Sequence, residues 1–173
     1  MNLTNKYLLD FDYNEIHSIT VKSNLENCYH STMNLDLSKS KIINFLFRLR
    51  GLPFSKTKLS ELTQNLKFTL LEESKYTEFI YGFWAKSKVE WIDDKKEFIN
   101  GGKDYQVKSI WSFRFVEKKE NECEIITETR VKCLTKKSKI LFSIYWFFVK
   151  PFSGLVRIEM LKLIKQNLLN NYA

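Results

Sequence analysis

The chain has 173 residues, 44% of them hydrophobic, with only five Gly and two Pro. A chain of that length buries roughly 70% of the surface it exposes when unfolded, so one domain spanning residues 1–173 is expected, and disordered, low-complexity and collagen-like classes are excluded. The net charge of +8 admits nucleic acid, an anionic membrane or an acidic small ligand, but Lys stands beside Glu and Asp in every segment, so most of this charge reads as solvated surface.

In chain order, the opening MNLTNKYLLDFDYNEI has no apolar stretch followed by a small-residue cleavage site, so no signal peptide is expected. From Ile16 to Lys22, His17, Ile19 and Val21 alternate with Ser18 and Thr20, the pattern of a half-buried strand. Ser23-Asn24-Leu25-Glu26 has the spacing of a capping box before a short helix, Leu25 to Met33. A second helix is predicted over about Lys39 to Arg50, with Ile42, Phe45, Leu46 and Leu49 as its buried stripe and Gly51-Leu52-Pro53 as its stop. Lys56 to Asn65 is polar and reads as irregular or a single helical turn. Strands follow around Phe68 and Leu70, and around Phe79, Tyr81 and Phe83; Val89 to Ile92 and Glu97 to Ile99 read as short strands before a turn at Asn100-Gly101-Gly102.

Val107 to Glu117 and Cys123 to Cys133 form the clearest hairpin. Trp111, Phe113 and Phe115 share one face with Ile125, Thr127, Thr129 and Val131; Ser112, Arg114, Glu128 and Arg130 fall on the other, as an exposed charge ladder. Ser138 to Tyr172 reads as two helical runs joined at Pro151-Phe152-Ser153-Gly154. On a 3.6-residue wheel Val156, Met160, Leu163, Ile164 and Leu168 form one apolar face, and Arg157 sits within that arc. A guanidinium there must snorkel, pair with an acid, or face a hollow holding water or an anion. Lysines flank the run from Ile140 to Lys165, which fits an amphipathic membrane-surface helix or, preferably, a buried helix with solvated ends. The longest apolar run, Ile140 to Val149, is interrupted by Ser143 and is too short to span a bilayer.

Cys28, Cys123 and Cys133 are far apart, and His17 and His30 do not complete a close-spaced ligand set. No metal or cofactor is expected, and free thiols suit a reducing compartment, the cytoplasm.

The order of strand, two helices, antiparallel strands and long terminal helix resembles the START-like superfamily, also called SRPBCC. Within it the chain resembles a group of small, largely uncharacterised bacterial proteins. The stretches that carry the likeness are Ile16-His17-Ser18, Phe83-Trp84, Ile110-Trp111-Ser112-Phe113-Arg114-Phe115, Thr127-Glu128-Thr129-Arg130-Val131, and Tyr145-Trp146 through Pro151-Phe152-Ser153-Gly154-Leu155-Val156-Arg157 to Leu161, Ile164 and Lys165. They cover about residues 13–170; Ile16 stands where the pattern has phenylalanine, and Val156 where isoleucine is usual. The resemblance implies an α+β helix-grip fold: a curved antiparallel sheet wrapped around a long C-terminal helix, with two short helices after the first strand and an internal cavity. It implies no catalytic signature.

The candidate ligand-binding residues are Arg157, Tyr145, Tyr81, Trp84, His17, Met160 and Ile164. Arg157 is either an anchor for a carboxylate or phosphate or half of an internal ion pair. The aromatics offer apolar walls with polar tips, Tyr81 and Tyr145 being the better pocket candidates, and His17 is placed at the cavity mouth. The function expected is binding of an apolar or amphipathic, lipid-like or polyketide-like small molecule. A cyclase-, aromatase- or hydrolase-type enzyme working through Glu128, His17 or a tyrosine is the alternative, and membrane-surface lipid transfer with transient anionic contact is a third. Nucleic acid is not an expected partner, because no basic stripe or motif is present. The sequence does not fix the oligomeric state.

Overall fold

The structure is a computed structural model and describes residues 2–49, 58–86, 88–101 and 106–171. Strands β1 (Tyr13–Val21), β2 (Thr69–Ser74), β3 (Glu78–Ala85), β4 (Val89–Glu90), β5 (Val107–Lys119) and β6 (Glu122–Cys133) form one six-stranded sheet. Its order is β1-β6-β5-β3-β2, with β4 also on β3, and every pairing is antiparallel. The helices are α1 (Leu3–Tyr7), α2 (Leu25–Met33), α3 (Lys41–Leu49), α4 (Leu59–Asn65), α5 (Lys95–Asn100) and α6 (Lys136–Asn171). This is the α+β helix-grip arrangement expected above.

Alternation along β5 and β6 builds the main core. Trp111 pairs with Thr129, Phe113 with Thr127 and Phe115 with Ile125, all on the inner face. Phe79 and Tyr81 of β3 extend that face, and Met160, Leu161, Leu163, Ile164 and Leu168 of α6 close over it. Each such side chain contributes about 1.5–3 kcal/mol by leaving water. Trp111 donates its indole N–H to Thr127 Oγ1 at 2.8 Å, so its polar edge is satisfied inside the core.

The outer face of the sheet is also covered. Leu3, Tyr7 and Leu8 from α1 and its end join Leu71, Ile80, Trp84, Ile92, Phe98 and Ile110 in a second apolar cluster. The charge ladder expected in solvent lies beneath this layer: Glu128 is 5% exposed and Arg130 8%. Arg130 Nε donates to Glu128 Oε1 at 2.6 Å, and its Nη1 donates to Asn5 Oδ1 at 2.8 Å and the Leu8 carbonyl at 3.0 Å. The face assignment of Ser112, Arg114 and Glu128 was right; their exposure was not, because an N-terminal helix that the sequence did not signal lies over them.

Several local readings also change. The stripe expected on α3 is rotated: Ile43, Leu46 and Phe47 are buried, whereas Ile42, Phe45 and Leu49 are exposed. Ser40 Oγ accepts from Ile43 N at 3.2 Å, which fits a helix beginning at Lys41 in the phase that turns Ile43 inward. The cap of α2 is Asn24, which accepts from Asn27 N at 2.8 Å, rather than Ser23. Glu97 to Ile99 is helical, because Asp94 caps Lys96 N at 2.8 Å and Gly101, at φ 121°, ends the turn. Within the polar stretch Lys56 to Asn65, Leu59–Asn65 forms α4, and Lys56 and Thr57 lie outside the described residues. The stop at Gly51-Leu52-Pro53 and the Gly102 part of the later turn lie outside the described residues.

The largest departure is in α6, one helix of 36 residues with Pro151 inside it rather than two joined runs. Proline removes one donor, that facing the Phe147 carbonyl. The first half of α6 is not buried: Ile140, Ile144, Phe147 and Phe148 are all exposed. As one helix, α6 is long and apolar enough by length and composition to cross a membrane, which the Ile140 to Val149 run alone is not.

Two outcomes are expected. Glu128→Gln should cost about 2–4 kcal/mol in denaturant unfolding, because it leaves the buried Arg130 guanidinium without its counter-charge; a loss below about 0.5 kcal/mol would mean the pair is solvated. Glu78, 6% exposed, accepts from Leu3 N at 2.9 Å. Burial raises its carboxyl above the usual range, against the lowering effect of the Leu3 amide and Arg114. The folded chain therefore holds this proton more tightly than the unfolded one, and the contribution to stability is lost as pH rises through the raised value. Melting curves from about pH 4 upward should show wild type losing stability relative to Glu78→Gln; parallel curves would show that ionisation of Glu78 costs nothing.

Candidate functional site

The inner face of the sheet and the middle of α6 do not touch throughout. Between them, closed on the third side by Phe47 of α3 and Leu62 of α4, is a cavity of about 240 Å³. Its walls are largely aromatic and aliphatic: Phe68, Phe83 and Trp111 from the sheet side, Phe142, Trp146 and Val149 from α6. Phe68 stacks on Phe83 with ring centres 4.5 Å apart, and meets Trp111 edge-on at 6.2 Å. The stripe Phe142, Trp146, Val149, Ser153, Val156 and Met160 recurs at intervals of three and four, so a single face of α6 roofs the space.

The polar groups around the cavity are few and mostly engaged. Ser109 donates to the Arg130 carbonyl at 2.7 Å. Arg157 reaches the wall from α6 and is bonded on several sides. Its Nη2 donates to Thr129 Oγ1, and its Nη1 donates to Ser153 Oγ, to the Ser153 carbonyl at 3.1 Å and to Glu15 Oε2 at 3.5 Å. The guanidinium carbon lies 6.0 Å from the Trp111 ring centre. Glu15 Oε1 in turn lies 3.1 Å from His17 Nε2. The result is a line of groups from His17 through Glu15 to Arg157 that joins β1 to α6.

Gly154 is the residue that permits this approach. A Cβ there would lie 2.7 Å from Glu15 Oε1 and 3.4 Å from His17 Nε2, so β1 and α6 come together where the helix has no side chain.

Of the seven candidates, Arg157, Tyr145 and Met160 line the cavity together. Arg157 is ion-paired with Glu15 and also lies at the cavity wall. Tyr145, 45% exposed, stands at the solvent side. His17 shares the inner face but meets Glu15 and Gly154 rather than the cavity wall. Ile164 is fully buried in the core below. Tyr81 is also core; burial pushes its phenol above the ordinary value, with the Thr63 hydroxyl beside it. Trp84 belongs to the opposite face, where it packs on Phe98 and donates to the Trp91 carbonyl at 3.0 Å. Strand alternation separates Trp84 from Phe83, the cavity residue beside it. Glu15 was missed, although Tyr13, Glu15, His17 and Ile19 alternate in register and put it on the face of His17.

No cluster of three or more His, Cys, Asp or Glu able to hold a metal occurs among the described residues. Cys28 and Cys123 lie side by side in the core, and the contact with Cys123, together with burial, pushes the Cys28 thiol well up while that of Cys123 is lowered.

No family model matches the chain, and no curated protein matches it. Solved structures do resemble it. A protein from Thermus thermophilus aligns at a TM-score of 0.38 and 11% identity, covering 93% of this chain and 100% of that one. A conserved protein from Geobacillus kaustophilus gives 0.40 and 12%, covering 91% and 96%. Norcoclaurine synthase from Thalictrum flavum, solved with dopamine and hydroxybenzaldehyde, gives 0.36 and 10%, covering 93% and 88%. A likeness of this degree carries no activity to this chain.

The pairing at Arg157 sets an expectation. Arg157→Met should destabilise by about 3–5 kcal/mol, because it strands the buried Glu15 carboxylate. Adding Glu15→Gln should restore a good part of that loss. Additive losses in the two variants, measured by urea titration, would show that the two groups do not interact.

Proposed function

We propose that the cavity binds a small apolar or amphipathic molecule. The observation that carries this reading is the aromatic-walled hollow of about 240 Å³ beside a single guanidinium. Ligand sites commonly run from roughly 300 to 1,000 Å³. This one suits a single ring system, a short chain, or the end of a longer lipid- or polyketide-like chain. Arg157, already shared with Glu15 and Ser153, would give a carboxylate or other polar head a donor at the wall without presenting an isolated charge.

Catalysis has less support. Glu128, the acid–base candidate, lies on the far side of the sheet, paired with Arg130. His17 has an orienting carboxylate in Glu15, but neither is in the cavity wall. Of the acid–base candidates, Tyr145 is at the cavity wall, on its solvent side.

Filling the space is the direct test. Val149→Trp places a large ring into the roof of the cavity. Wild type should bind a small fluorescent aromatic carboxylate, and titration calorimetry with Val149→Trp should show affinity at least about tenfold weaker at an unchanged fold, the scale of one lost apolar contact. Equal affinity in the filled variant would remove the cavity as the site.

A further inference from the structure

The face of α6 opposite the cavity is apolar and bare. Ile140, Ile144, Phe147, Phe148, Leu155 and Ile158 fall within an arc of about 100° on the helical wheel. All six are exposed, Phe147 at 77% and Phe148 at 64%. At 1.5 Å per residue the stripe runs roughly 27 Å. Soluble surfaces rarely carry a contiguous apolar band of this kind without a use for it.

We propose that this stripe docks the protein on the surface of an anionic lipid bilayer, with α6 lying in the interface plane. Charge complementarity chooses the occupant. From Lys136 to Ile158 there is no Asp or Glu, while Lys136, Lys137 and Lys150 are exposed along the same stretch. On the wheel Lys137 continues the stripe at its N-terminal end; at the other end Lys162 is paired with Glu159 at 2.7 Å. Anionic headgroups complement such an edge, and each lysine near a charged leaflet adds to adsorption. A second copy of the chain fits less well, since it would bring a lysine-edged, acid-free stripe against another. A transmembrane arrangement is disfavoured by the opposite face: it roofs the cavity through Trp146 and Val149, and holds Arg157 against Glu15. Below it, Met160 and Ile164 are fixed in the core. The helix can therefore present its outer face to lipid while its inner face stays on the sheet. The inference is independent of whether the cavity holds a ligand.

The test is co-sedimentation of the whole chain with phosphatidylcholine vesicles, alone and with roughly a third phosphatidylserine. Wild type should partition onto the anionic vesicles and much less onto the neutral ones, and should be released by salt or alkaline carbonate. Phe147→Glu/Phe148→Glu, whose side chains touch solvent in the fold, should melt like wild type and partition at least about tenfold less. Lys136→Glu/Lys137→Glu should weaken binding to anionic vesicles only. Absence of partition, or partition indifferent to the Phe pair, overturns the proposal. So does binding that resists carbonate, which would mean insertion. A dimer in analytical ultracentrifugation that the Phe pair dissolves, without vesicle binding, would assign the stripe to a second copy instead.

Discussion

Burial of Met160, Leu161, Leu163, Ile164 and Leu168 against the inner face of the sheet fixes α6, and the rest of the architecture follows from that contact. It lays the helix over β1 and β6 and brings Gly154 against β1. It also decides which residues further up the same face look into open space. Where the sheet contributes Phe113 and Phe115 the gap is filled; where it contributes Ser109 and Thr129 the opposing side chains fall short and a hollow remains.

A charge is tolerated on that helix face only because the strand supplies its complement. Arg157 and Glu15 are 142 positions apart in sequence, yet both stay at the seam, with side-chain exposures of 14% and 7%. Ser153 and Thr129 accept further hydrogen bonds from Arg157, and His17 meets Glu15, so the polar cluster is connected rather than isolated. Such a seam fixes register between helix and strand as much as it adds stability.

Period-two alternation made the inner face of the hairpin readable: Trp111, Phe113 and Phe115 all lie where the pattern puts them. The wheel for Val156 to Leu168 succeeded for the same reason, a pattern with one consistent phase. Legibility failed where two phases competed, as in Ile42-Ile43 of α3, and where a distant segment supplied the cover, as α1 does for Glu128 and Arg130. Tyr81 and Trp84 were grouped with the pocket by residue type, although their positions differ by an odd number and so fall on opposite faces. Within the site, Arg157, Tyr145 and Met160 were legible; the wall residues from α3 and α4 were not, because nothing local to them marks a cavity that forms only on packing.

Pro151 stands where the deeply buried part of α6 meets its more exposed part. The backbone link it omits is one rung of the helical ladder, at a position where contact with the sheet is already thinning. Cooperativity between the two halves is weakest there, so fraying that begins near Lys136 meets a natural stop before it reaches Met160. In folding terms α6 is two units on one backbone: a lower one that shares the stability of the domain, and an upper one whose order is set largely by what lies against it. A rearrangement of the cavity roof can then occur at a fraction of the global unfolding free energy, without loosening the grip below.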